Sequence, residues 1–356
     1  MAATQVSCIL CGAPIENVSP QTIGWMSEFR ALYCTFEEPD VAHLSMLGLK
    51  QHTGDIIPLD PQMRLGMPEL SDEDTCVAIQ LMDSALRELP HNSHVISHRV
   101  WGFPLHGRCW RVLTVAYSGS IDDRFIQALF ELCRCCSIQL GTLDWGHDYG
   151  GLAGYNDEPG RFRPGNTRLT NHNYYRVDPF RQPELTKIFS NVHATEALVE
   201  QKYDQRKRNL AASNTNELSQ QDYFRMLPTE LLDQILVILC SSDVRNLRQA
   251  SRSVSEATLS NEFWHSRFLP GGEFAHVFEA ACELPGAKCW KHLFDRVRAI
   301  QGQPALVNRK RIWKLACGLC DLIDMRLASS VCYGSPNEYN TGFRMGIDSS
   351  SHGIVL

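Results

Sequence analysis

A chain of 356 residues, 44% hydrophobic and 21% charged, has the composition of an ordinary globular protein and the length for two or three domains. Its formal net charge of −6 argues against a dedicated nucleic-acid binder, which carries a basic surplus. No apolar run approaches the ~20 residues of a membrane helix, and residues 1–12 lack a basic start followed by a long apolar stretch, so neither a membrane span nor a secretory leader is expected. Fourteen cysteines without an export signal point to a reducing compartment, cytosol or nucleus, where thiols act as metal ligands or buried apolar groups.

Residues 1–195 mix aromatic-rich segments with Gly, Pro and Asn turns, and an α+β domain is expected there. Near its start, Cys8-x-x-Cys11 is a chelating pair, and Gly12 behind it lets backbone N–H groups approach the sulfurs. The spacing of Val77, Leu81, Ala85, Leu86 and Leu89 predicts a helix over 71–89, opened by Ser71 and three acidic residues. His106-x-x-Cys109 is a second chelating pair of the same spacing. Joined to the first, it makes Cys3His, a complete tetrahedral donor set for one structural zinc ion. The competing reading is an exposed N-terminal pair and a buried His106 and Cys109 that never meet.

Residues 108–117 fit a strand or a helix, and 122–140 a helix with Phe125, Leu129, Leu132 and Cys133 on one face. Residues 141–173, crowded with Gly, Asn, Asp and Pro, read as a long irregular loop. His147, Asp148 and His172 have no nucleophile fixed beside them and read as solvated loop residues. The aromatic residues Trp101, Trp110, Trp145, Tyr149, Tyr155, Tyr174 and Tyr175 suit core packing or a recognition groove, making this N-terminal region the candidate substrate-binding part.

Residues 196–221 are polar and charged, including Arg206-Lys207-Arg208, and read as a linker. Three short amphipathic helices follow within 222–268. Pro228 suits a first helical turn, Leu227, Leu231, Leu232, Ile235, Leu236 and Leu239 form a broad apolar stripe, and Ser242 or Asp243 can cap the next helix. Residues 269–331 complete a helical C-terminal region, in which Ile312, Leu315, Ala316, Leu319, Leu322 and Ile323 place Cys317 and Cys320 on a packed helix rather than at a metal. Residues 332–356 read as a loosely ordered tail.

The residues of 227–268, "LPxELLxxIL" over Leu227–Leu236, "DVxxLRxASR" over Asp243–Arg252 and "FWxxRF" over Phe263–Phe268, resemble the F-box in order and spacing. The resemblance implies a three-helix module that binds the Skp-family adaptor of a cullin-based ubiquitin ligase. Leu227, Pro228, Leu231, Leu232, Ile235, Leu236 and Val244 would face the adaptor, while Leu247, Phe263 and Trp264 would hold the helices together. Ser251 stands where many F-boxes have cysteine. Further segments are similar to large F-box families of filamentous fungi: "CxxCG" at Cys8–Gly12, "W–EFR–LY" at Trp25–Tyr33, "GFPxHxxCW" at Gly102–Trp110, "DYGGL" at Asp148–Leu152 and "NRxRIW" at Asn308–Trp313. The implied protein is a non-catalytic ligase subunit that brings a protein substrate. Two other readings compete with it: a zinc-stapled regulatory protein outside the ligase, and a cysteine or metal hydrolase built on Cys109, His106 and Asp148.

Overall fold

Strand β1 (Glu28–Thr35) alternates half-exposed Glu28 and Arg30 with buried Phe29 and Ala31, then buries Leu32, Tyr33 and Cys34 on both faces. A strand of that pattern needs neighbours on both edges. The structure, a computed structural model, describes residues 7–16, 24–35, 38–45, 47–50, 56–58, 80–81, 100–135, 138–139, 142–143, 149–150, 154–155, 162–163, 173–191, 222–280 and 290–332. On one edge β1 pairs antiparallel with β2 (His43–Leu44) and β3 (Gly48–Lys50), and β3 with β4 (Ile56–Pro58). On the other it pairs antiparallel with β6 (Val100–His106), from Phe29 opposite His106 to Thr35 opposite Val100. β5 (Gln80–Leu81) runs parallel to β6.

Those two residues are the described part of segment 71–89, so the helix expected there does not hold at Gln80 and Leu81. Sheet pairing with a distant strand overrides the local periodicity. The rest of that segment lies outside the described residues.

Helix α1 (Gly107–Ala116) resolves the open choice over 108–117, and α2 (Asp123–Cys135) accounts for most of 122–140. Asp122 Oδ1 accepts the Phe125 N–H at 3.0 Å and caps α2. Two short antiparallel pairs follow, β7 (Ile138–Gln139) with β8 (Thr142–Leu143) and β9 (Gly154–Tyr155) with β10 (Phe162–Arg163). His147, Asp148, His172, the linker 196–221 and the tail 333–356 lie outside the described residues.

Helix α3 spans 183–191, α4 Thr229–Ile238, α5 Ser241–Ala250, α6 Arg252–Glu256, α7 Asn261–Ser266, α8 Trp290–Ile300 and α9 Pro304–Cys332. The fold class is α+β. No helix among the described residues is long and apolar enough to cross a membrane.

The chain divides into two compact units, Met1–Asp178 with Arg311–Leu356, and Pro179–Lys310. This is not the division at 195, 221, 268 and 331 that composition suggests. The first unit is discontinuous in sequence because Ile312, Ala316, Leu319 and Ile323 of α9 are buried within it. Glu131 of α2 accepts two hydrogen bonds from Arg326 of α9, at 2.9 and 2.6 Å.

In the second unit, Leu185, Ile188 and Phe189 of α3 share a core with Phe268, Phe274, Trp290, Leu293, Phe294 and Leu306. Arg309 is buried there as an ion pair. Its Nη1 donates to both Glu279 oxygens at 2.7 Å, and its guanidinium lies over the adjoining Phe180 and Phe278 rings, 5.1 and 5.0 Å from their centroids.

Helices α4 to α7 enclose a smaller core of Leu232, Leu236, Val244, Val254 and Phe263. Cys240, rather than Ser242 or Asp243, precedes the first turn of α5 as its N-cap, because the helix starts earlier, at Ser241. Two polar residues fasten these helices. Asp222 accepts from the Ser253 and Phe224 backbone N–H groups at 2.9 and 3.1 Å, and from the hydroxyl of buried Ser251. Ser251 in turn caps α6 by accepting from the Val254 N–H.

These bonds, the Ser253 N–H foremost, hold the Asp222 carboxyl below the usual carboxylate range against the opposing effect of desolvation. A carboxyl lowered in the folded state adds stability that is complete above its unfolded pKa and disappears as pH falls through its folded one. Asp222→Asn is therefore expected to flatten the acid limb of the melting-temperature profile relative to the unmodified chain.

Arg267, 5% exposed, donates to the carbonyls of Val237 and Leu239 at 2.6 Å each and stacks on Phe263 at 4.3 Å. It thus satisfies carbonyls that the end of α4 leaves without helical partners. Arg267→Met keeps most of the stem but removes both guanidinium bonds, leaving Val237 O only the Ser266 hydroxyl at 3.5 Å, and should cost about 2–4 kcal/mol in urea unfolding of the second unit. A loss below 0.5 kcal/mol would show that water replaces the guanidinium there.

Candidate functional site: a metal centre and an apolar helix face

The first unit gathers Cys8, Cys11, His106 and Cys109, with all four donor atoms within 4.8 Å of one another and each residue 0% exposed. The two chelating pairs that sequence leaves 95 residues apart do meet. The chain reaches this geometry in two steps. His106 ends β6 and Cys109 lies in the first turn of α1, so the strand-to-helix junction presents both side chains to one point. Pro104 has no N–H to give a neighbouring strand, but its carbonyl accepts the Ile9 N–H at 2.9 Å and brings the N-terminal loop alongside β6.

That loop closes on itself through Gly12 N–H to Cys8 O and Cys8 N–H to Ala13 O, at 2.9 and 2.8 Å. Gly12 takes φ 71°, and a Cβ there would sit 2.7 Å from the Tyr149 ring, so the position requires glycine twice over.

The donor set suits a metal. Tetrahedral zinc, with Zn–S near 2.3 Å, spaces its donors about 3.4–3.8 Å apart. His106 Nδ1 lies 3.4 Å from Cys11 Sγ and 4.0 Å from Cys109 Sγ. His106 Nε2 donates to the Pro14 carbonyl at 3.2 Å, which fixes the tautomer and leaves the Nδ1 lone pair facing the sulfurs. The His106 backbone N–H donates to Cys8 Sγ at 3.4 Å. The Trp25 ring closes over the imidazole at 4.9 Å between centroids.

The protonation pattern without metal carries the same message. Burial raises the Cys11 thiol, yet hydrogen bonds from Cys109 and Cys8 and the charge of His106 hold it well below its ordinary range. Burial lowers His106, but the charges of Cys11 and Cys8 push it up to about 10. Cys109 is raised, first by burial and then by its bonds to Cys11 and Cys8. Alone, the cluster shares protons between thiolate and imidazolium, and a divalent cation would take the place of those protons.

Two segments beyond the ligands complete the surroundings, and neither was legible as part of a metal centre. Tyr149, fully buried at φ 55°, covers Gly12 with its ring and donates its hydroxyl to Ile9 O at 3.4 Å. Arg311 of α9 reaches in from the other end of the chain. Both lie in segments that the sequence marks only by resemblance, "DYGGL" and "NRxRIW". Cys317 and Cys320 lie on α9, and Cys133 is buried on α2; none joins the cluster.

Elsewhere in the first unit, β1 and α1 line a cleft of about 280 Å3 in which Arg30, Arg108 and Arg111 face one carboxylate, Glu28, beside Trp110.

In the second unit the stripe on α4 divides into two faces. Leu232 and Leu236, together with Val244 of α5, are buried in the core of α4 to α7 rather than presented to a partner, as the resemblance implied for them. The module needs them itself, because four short helices enclose little other apolar volume. Leu227, Leu231 and Ile235 remain outside, 36%, 48% and 37% exposed, with Pro228 exposed beside them. Ile238, three residues after Ile235, extends that face at 83% exposed, and Met226, in the turn before α4, is 81% exposed. Phe263 is buried as expected, with Trp264 and Leu247 packed partly against it.

Set against known proteins, the chain matches no family model, no curated protein and no solved structure.

Proposed function

We propose that the chain is an F-box adaptor: residues 222–268 dock on a Skp-family protein and through it on a cullin ubiquitin ligase. The observation that carries this reading is the exposed row of Leu227, Leu231, Ile235 and Ile238 on a module whose own core is already filled by Leu232, Leu236, Val244 and Phe263. A contiguous apolar face of this kind marks a partner surface. It coincides with the residues that carry the resemblance to the F-box. The protein is then a non-catalytic subunit working in cytosol or nucleus. Its first unit, with the arginine-lined cleft, is the part that selects a protein substrate.

The Cys8, Cys11, His106 and Cys109 cluster holds one structural zinc ion in this reading. Four protein donors fill a tetrahedron and leave no position for a substrate, which separates the adaptor from a metal hydrolase. A zinc-stapled regulatory protein outside the ligase would contain the same cluster and differ in having no adaptor on α4.

Capture of a purified Skp-family adaptor by the intact chain tests the proposal. A complex of one to one stoichiometry supports it. No complex at micromolar concentrations of both proteins removes it and leaves the regulatory reading.

A further inference from the structure

We propose that Arg311 is a positioning residue of the metal centre: it holds the carbonyl behind the second cysteine ligand and ties the loading of the metal to the seating of helix α9. This rests on the metal reading of the Cys8, Cys11, His106 and Cys109 cluster.

Arg311 is 7% exposed, and its Nη1 donates to the Cys11 and Tyr149 carbonyls at 2.8 Å each. Cys11 is a ligand and Tyr149 packs on Gly12, so one nitrogen joins the ligand loop to the residue that covers it. The stem of Arg311 packs on Gly150, where a Cβ would lie 2.6 Å from Cγ; Gly150 itself takes φ 69°. The guanidinium therefore occupies a fitted slot.

A cation at this carbonyl acts in two ways. It fixes the peptide plane between Cys11 and Gly12, and so the direction from which Cys11 Sγ approaches the other donors. It also places a positive charge within one residue of a centre where three thiolates and one imidazole around a divalent ion carry a net negative charge. Groups that orient ligands in this way change metal affinity by about 10–100-fold when removed. By reciprocity, the metal stabilises the docking of the first α9 turns in this unit by the same factor.

The test is the zinc dissociation constant, measured by competition with a chromophoric chelator on the full chain and on two variants. Arg311→Met keeps the stem against Gly150 and removes both hydrogen bonds. Arg326→Met, on the same helix, breaks the ion pair to Glu131 and leaves the Arg311 bonds to Cys11 and Tyr149 in place. Zinc affinity is expected to fall 10–100-fold in Arg311→Met and to stay within twofold in Arg326→Met. Arg311→Lys, whose ammonium can still donate to a carbonyl, should fall between them.

Equal affinity in Arg311→Met and the unmodified chain, with both folded by circular dichroism, would overturn the assignment. So would an equal loss in both methionine variants, because the effect would then belong to helix docking alone. An unmodified chain that binds no zinc would instead sink the metal reading itself. Hydrogen exchange gives a second readout: chelation should speed amide exchange around residues 311–316 more than around 323–329.

Discussion

Changing Leu231 and Ile235 together to aspartate is expected to abolish capture of a Skp-family adaptor while leaving the chain folded. Both side chains are more than one-third exposed in the chain alone, so the cost to the fold is small, within about 1 kcal/mol for surface substitutions of this kind. In a complex, each would bury an unpaired carboxylate against an apolar surface, at roughly 2 kcal/mol or more per group. The summed loss corresponds to at least about a thousandfold in dissociation constant, enough to remove a micromolar complex from any pull-down.

The two faces of α4 supply an internal control. Leu232→Ala or Leu236→Ala opens a cavity in the core of α4 to α7 and should cost about 2–5 kcal/mol of stability. These variants lose binding through unfolding, with a lowered melting temperature. The aspartate pair loses it with the melting temperature nearly unchanged. Adaptor capture that survives in the aspartate pair would mean that the partner surface lies elsewhere.

Stripping the metal should have the largest effect on stability. The purified chain is expected to carry one zinc ion by elemental analysis, and Cys8→Ser or Cys109→Ser should reduce this to well below half. Cys133→Ala, which removes a buried thiol outside the cluster, should leave it at one. Structural zinc binds with apparent free energies of about 10–16 kcal/mol. At free zinc a thousand times its dissociation constant, the folded state gains about 4 kcal/mol. Excess chelator should lower the melting temperature of the first unit by several degrees or more. A melting curve unmoved by chelator, together with no bound zinc, would leave the cluster as four buried side chains and nothing else.

Much of the two candidate sites was legible in the sequence, for different reasons. The four candidate ligands were readable because chelating pairs announce themselves by local spacing, Cys8 to Cys11 and His106 to Cys109. Their meeting was not, since it depends on the pairing of β1 with β6 and of Ile9 with Pro104. Pro14 gives His106 a backbone carbonyl, and side-chain identity encodes no carbonyl.

On α4, helical spacing showed a broad apolar stripe. It did not show which part the module would keep for its own core, a question settled by where Phe263, Val244 and Val254 pack. The short strand at Gln80 and Leu81 escaped notice because its partner lies on β6, beyond the reach of a local pattern. The α9 periodicity was plain, but its membership of the first unit rests on contacts made by Arg311 and Arg326 with residues far away in the chain.

The sequence distances within the first unit bear on how it is made in the cell. Cys11 and His106 are 95 residues apart, and Cys11 and Arg311 are 300 apart. At about 5–20 residues per second of translation, the first cysteine pair leaves the ribosome about 5–20 s ahead of its partners. During that interval its thiols have no metal shell and are open to oxidation. The unit then waits for 300 residues after Cys11 before Arg311 can close the loop. Termination before residue 311 would release a chain with all four candidate ligands and no helix to lock them, an intermediate that quality-control proteases would meet.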